Sequence, residues 1–142
     1  MKEQNFKNHS RYIPLWHFIM PVIMLALLIG SIINLVNAEA PTRYSAALIV
    51  VIAVLLTGFY WYTRWFALRA QDRAIRAEEN FRHYILTGRP FDNRLRMGQI
   101  IALRFAPDEE MPALAKRAVD EKLSPKGIKQ AIQNWKTDYN RV

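Results

Sequence analysis

Residues Tyr12 to Ala38 read YIPLWHFIMPVIMLALLIGSIINLVNA, and Tyr44 to Thr63 read YSAALIVVIAVLLTGFYWYT. Neither stretch contains Asp, Glu, Lys or Arg. At about 1.5 Å per residue, each forms a helix long enough to cross a hydrocarbon layer roughly 30 Å thick. The solvent of the front half is therefore expected to be lipid. Two spans follow, transmembrane helix 1 at 12–36 and transmembrane helix 2 at 45–66, joined by an external link at 37–44. So short a link makes the spans antiparallel neighbours, a helical hairpin. Pro14 falls in a first turn, where no amide is needed. Pro21 lies deeper and should bend the helix or close off a separate first turn.

At 142 residues the chain has room for one small unit. The apolar residues crowd into its first half, and most charges follow Thr63. The soluble remainder is short for a large core of its own and should lean on a partner, a copy of itself or the membrane. The chain has no cysteine, which excludes disulfide scaffolds, thiolate zinc sites and thiol chemistry. The net charge of +8 fits either a cytoplasmic excess of basic residues or attraction to nucleic acid or anionic lipid.

Orientation is read from Lys and Arg. Lys2, Lys7 and Arg11 precede the first span, the link holds Arg43, and Arg64, Arg69, Arg73 and Arg76 follow the second. Both termini are thus expected in the cytoplasm of a bacterial inner-membrane, multi-pass protein. Trp16, Trp61 and Trp65, with Arg64, Arg69, Arg73 and Arg76, are the candidate membrane-interface anchors. Val36-Asn37-Ala38 fits a signal-peptidase site, but the apolar region is long for a signal peptide and carries two prolines. Candidate helix-pairing residues within the spans are Ala26 with Gly30 and Ala53 with Thr57, small residues four apart that let backbones approach. His17 is the ionisable group inside a span and reads as an interfacial ring beside Trp16. Ser31 and Asn34 lie near the outer end, where water replaces a special partner.

No helix breaker occurs between Gly58 and Gly88, so the second span should continue as a cytoplasmic helical extension (67–88) to about Thr87, where Gly88 and Pro90 stop it. On it Ala70, Ala74, Ala77, Phe81 and Tyr84 form a narrow heptad-like seam for a partner helix in the same chain or in a second copy. Ala74, Ala77 and Phe81 are its candidate pairing residues. Asp72 with Arg76 and Glu78 with Arg82 have the spacing of intrahelical ion pairs. A small cytoplasmic helical module (89–142) follows the short cytoplasmic N-terminal segment (1–11) and the hairpin. In it Asp92 is expected to cap a helix running to Phe105, Asp108 a second helix, and Ser124-Pro125 a third carrying the stripe Ile128, Ala131, Ile132, Trp135 and Tyr139. No segment alternates with a period of two, so the fold class is all-α.

No catalytic constellation is present. His9, His17 and His83 lack ligand spacing, and Glu78-Glu79 and Asp108-Glu109-Glu110 point to different sides of their helices. Catalytic, metal and cofactor-binding residues are therefore none, and no cofactor is implied. The primary reading is a membrane-anchored interaction, scaffold or accessory protein whose partners are the lipid bilayer and itself or another membrane-associated protein. One alternative is a membrane-tethered nucleic-acid binder, with Lys129, Gln133, Lys136 and Asn140 outward on a last reading helix. Another is a subunit of a membrane enzyme or transporter complex. The segments Glu3 to Tyr12, Gln71 to Glu79 and Leu123-Ser124-Pro125-Lys126 through Asn134-Trp135 resemble an uncharacterised bacterial family of small two-span membrane proteins, a domain of unknown function. The resemblance covers nearly the whole chain. It implies a bacterial inner-membrane setting and brings no activity, ligand or catalytic residue.

Overall fold

A computed structural model of the chain describes Asn5, Phe6 and residues 12–138. Among these residues all regular structure is helical. Helix α1 (Met20–Val36) is preceded by a π-helical stretch (Leu15–Ile19). It is followed by α2 (Arg43–Thr87), α3 (Met97–Leu103), α4 (Met111–Asp120) and α5 (Pro125–Ala131). From Tyr12 onward the chain divides into two compact units between Phe66 and Ala67. Lys2, Lys7, Arg11, Tyr139 and Asn140 lie outside the described residues.

In the first unit α1 and the front of α2 are both long and apolar enough to cross a membrane. Their apolar windows are barely covered, 6% and 17% buried. The link closes on itself: Asn37 Nδ2 donates to the Ile33 carbonyl, Thr42 Oγ1 to Glu39 and Arg43 to Ala38. Ser31, expected to face water, is buried, and its hydroxyl donates to the Leu28 carbonyl at 2.8 Å. Back-bonding of this kind is how a helical hydroxyl is satisfied where water is absent.

The second unit has a core of its own. Leu103, Ala102, Phe105, Ala106, Met111, Ala118 and Ile128 are fully covered. The stripe Met111, Leu114, Ala115 and Ala118 brings one face of α4 inward, as its spacing dictates. Gly98 lets α3 approach α5: a Cβ there would sit 3.2 Å from Pro125 Cγ. Helix α2 ends at Thr87, and Gly88 takes the left-handed conformation at φ 71°. The chain is then drawn back onto α2, because Asn80 Oδ1 accepts the Phe91 amide at 2.9 Å and Phe91 packs on the His83 ring at 4.4 Å.

Four expectations are corrected here. Asp92 caps a turn, accepting the Arg94 amide and guanidinium, and α3 starts only after Arg96, whose amide is taken by Gln99 Oε1. That pairing holds the Asp92 carboxyl down at about 2, chiefly through the Arg94 side chain. Asp108 does not cap α4, which begins at Met111 without a side-chain cap; Asp108 accepts from Arg82 instead. Arg82 pairs with Glu79 and Asp108 rather than Glu78. Ser124 does cap α5, accepting the Gly127 amide at 3.0 Å, but that helix ends at Ala131.

The early end of α5 coincides with a contact from a residue distant in sequence. The Glu110 carboxylate accepts the Gln133 amide at 3.0 Å and the Asn134 amide and side chain at 2.9 Å. These are amides that a longer helix would have turned onto its own carbonyls. Beyond them Lys136 donates to the Phe105 carbonyl, and Trp135 stacks on Phe105 at 4.7 Å. The tail thus lies against Phe105 as extended chain, and Gln133 and Lys136 are not on a helix face.

Burial raises the Glu110 carboxyl, but the Gln133 and Asn134 donors outweigh it, and the net displacement is downward from 4.5. The folded state therefore favours the ionised form. Its contribution is present above the ordinary value and is lost as acid drives the pH below it. Glu110→Gln is expected to cost about 1–2 kcal/mol at neutral pH. Hydrogen exchange at Gln133 and Asn134 should quicken, and the stability gap from wild type should shrink as the pH is lowered to about 3.

Candidate functional site

The sequence-predicted residues fall on two surfaces. In the first unit a peptide carbonyl is the starting point. The Met20 amide reaches back to Leu15, in the wider π pattern. The next amide in that pattern belongs to position 21, which is proline and has none. The Trp16 carbonyl is thereby left without either nearby helical donor. The Tyr60 hydroxyl of α2 donates to it, and the Tyr60 ring stacks on the Trp16 indole with centroids 4.3 Å apart and planes at 21°. One residue thus supplies the missing proton and covers the exposed backbone. His17 belongs to the same turn: its Nδ1 lies 3.0 Å from both the amide nitrogen and the carbonyl oxygen of Ile13. The ring thus folds back onto the backbone at the helix start.

Of the other aromatic anchors, Trp61 and Trp65 are exposed, and Trp65 makes edge contacts with Tyr62 and Phe66. Arg64 is half-buried, whereas Arg69, Arg73 and Arg76 are exposed. Among the pairing candidates, Ala53 is 1% exposed and Thr57 half-buried, with the Thr57 hydroxyl on the Ala53 carbonyl. Ala26 and Gly30 are exposed, and a Cβ on Gly30 would meet nothing. The covered face of α1 runs instead through Met20, Met24, Leu28, Ser31 and Leu35. Flexible methionine and leucine fill space against a neighbour as well as small residues do, and spacing rules for small residues miss them.

In the second unit α2 has two unlike faces. Ile75 and Glu79 are buried. Arg82 gathers the surroundings: it donates to Asp108 at 2.6 Å, to the Ala106 carbonyl at 2.8 Å and to Glu79 at 3.0 Å. Ala74 and Ala77 are exposed and Phe81 is 65% exposed, so the heptad-like seam is not covered by its own chain. Arg73 and Arg76 border an open groove of about 420 Å³ with Asn80, Phe91, Met97 and Ile100. Among the described residues no three of His, Asp and Glu come together in a way that could hold a metal.

Sequence reasoning missed the role of the Tyr60 hydroxyl and the link from Arg82 to Asp108. Tyr60 could have been found by asking which hydroxyl lies at the depth of the amide that Pro21 lacks. Arg82 could not, because its partner Asp108 is distant in sequence.

Over residues 1–142 the chain matches the model of a Family of unknown function (DUF6526), and it belongs to that family. Neither a curated protein nor a solved structure matches it.

Tyr60→Phe keeps the ring and removes the donor. In unfolding titrations it is expected to cost about 1 kcal/mol, an ordinary net contribution for one hydrogen bond. Pro21→Ala returns an amide to the Trp16 neighbourhood, so Tyr60→Phe should cost less in that background, a coupling read from the double-mutant cycle. Arg82→Ala should cost about 2–4 kcal/mol, since it strands the buried Glu79 carboxylate; Arg82→Lys should recover less than half, because a single ammonium cannot serve three acceptors in fork geometry.

Proposed function

Starting from membership in a family without an assigned activity, we propose that this chain is an integral membrane protein of a bacterial inner membrane, serving as a membrane-anchored interaction or accessory subunit. Its α1 and the front of α2 cross the bilayer as a hairpin, with the 37–42 link outside and both termini in the cytoplasm. The observation that carries this reading is the contrast between the two units. The second buries Leu103, Phe105, Met111 and Ile128 fully, and its exposed large apolar side chains, Phe81, Tyr84, Ile85 and Leu86, all lie at the end of α2. The first leaves Leu25, Ile29, Ile33, Val51, Leu55 and Phe59 all at least half exposed. Water does not tolerate continuous apolar surface on that scale, and hydrocarbon does. Hydroxyls turned back onto their own helix, at Ser31, Thr57 and Thr63, suit the same solvent.

We assign the chain no catalysis of its own. Nucleic-acid binding loses its motivating feature, because α5 is only seven residues long, Gln133 and Lys136 lie beyond it, and the Lys129 ammonium sits over the Phe105 ring at 5.4 Å. A subunit of a larger membrane complex remains compatible with the anchor, since such a subunit also works by contact.

The intact protein is expected to stay with the membrane pellet in alkaline carbonate. A tag after Val142 should be protected from protease added to sealed spheroplasts and cleaved once they are lysed. Release by carbonate would remove the membrane assignment, and cleavage from outside would reverse the topology.

A further inference from the structure

The strongest unexplained surface is an exposed face of α2, whose Ala77 and flanking Arg73 also border the open groove with Phe91, Met97 and Ile100. There Ala67, Ala70, Ala74, Ala77, Phe81 and Tyr84 are exposed, Phe81 by 65% and Tyr84 by 53%. Steps of three and four alternate along it. At about 100° per residue this stripe centres on the opposite side of the helix from the buried Ile75 and Glu79. In heptad terms Ala74 and Phe81 are a positions, and Ala70, Ala77 and Tyr84 are d positions. The flanking g and e positions are then Arg73 and Glu78. Both are exposed, and among the described residues neither has a partner.

That charge pattern selects the occupant. In two parallel helices the g side chain of one lies beside the next e side chain of the other. Arg73 then faces Glu78 of the neighbour, and a twofold axis makes the pair twice. An antiparallel arrangement sets g against g and e against e, and leaves both charges without an opposite. Copies inserted in one bilayer with one topology emerge on the same side, so their α2 segments run in the same sense.

We propose that this stripe is the contact between two copies of the chain, a short parallel two-stranded helical pair with alanine at its close-approach positions and Phe81 and Tyr84 closing its end. The proposal rests on the membrane reading above. A seam this short is weak between freely diffusing helices, and confinement to one bilayer raises the effective concentration at which it operates.

The chain has no cysteine, so single-cysteine variants of the full chain report neighbours without background. Membranes holding Ala74→Cys, Ala77→Cys or the off-stripe control Arg76→Cys are first washed in carbonate, then oxidised. Ala74→Cys and Ala77→Cys are expected to give disulfide dimers about tenfold above Arg76→Cys, because facing core positions meet the distance a disulfide needs. In the Ala77→Cys background, Arg73→Glu alone and Glu78→Arg alone should each lower the dimer yield about three- to tenfold, and the two together should restore it. Protein that stays in the washed membrane but crosslinks no better at positions 74 and 77 than at 76 overturns the pairing and leaves the anchor standing. So does a double swap that fails to restore the yield. Protein that washes off overturns the membrane reading and the proposal together.

Discussion

A backbone surrounded by hydrocarbon has no water to complete its hydrogen bonds, and proline removes a donor from one. On the proposed membrane reading, the first unit is arranged around that deficit. The helix runs in a π pattern over Leu15–Ile19, in that pattern Pro21 leaves the Trp16 carbonyl without an amide, and a hydroxyl from another helix makes up the difference. Satisfaction elsewhere on these helices is local. Ser31, Ser45, Thr57 and Thr63 each turn their hydroxyl onto a carbonyl three or four residues back. The Trp16–Tyr60 contact differs because its partners are remote in sequence. A local hydroxyl bond stabilises a helix wherever it goes, whereas this one specifies which residue of α2 lies beside the start of α1.

The second unit solves the opposite problem, a small core with little area to bury. Alanines at 102, 106, 115 and 118 bring its short helices close, so a few large side chains suffice to fill the space between them. Carboxylates then do the work that longer helices would do for themselves. Glu110 holds the amides after α5, and Asp92 holds the turn before α3. In both cases the acid accepts a main-chain amide; the Asp92 carboxyl is displaced downward chiefly by the Arg94 side chain and then by that amide, and the Glu110 carboxyl by the Gln133 and Asn134 donors. The module is tied by charge at the points where its helices are too short to be tied by packing.

What the sequence disclosed follows the range of the interactions involved. The two apolar helices, the long run of α2 to Thr87 and the Ser124 cap were legible because uncharged length, absent breakers and Ser-Pro are local signals. Asp92, Asp108 and the tail after Ala131 were misread because local rules assign an acid to the nearest helix start. In this molecule Asp108 is drawn to Arg82 and Glu110 to Gln133 and Asn134, across gaps that no window along the chain spans. Of the small residues singled out by spacing, Ala53 and Thr57 lie on a covered face, whereas Ala26 and Gly30 are exposed and methionine and leucine line the covered side of α1.

The long-range choice made by Arg82 also shapes the outer surface of α2. Spacing alone would have Glu78 hold that guanidinium, which would consume the acid within its own helix. Because Glu79 and Asp108 claim Arg82 on the inward side, Glu78 is left facing out beside an uncovered stripe, with Arg73 on the opposite flank. An internal ion cluster thereby decides which charges remain for contact with another molecule. In the proposed pair of copies, a substitution that frees Arg82 from Asp108 would put a cation back at i,i+4 spacing from Glu78 and weaken the charge pattern that favours the parallel arrangement.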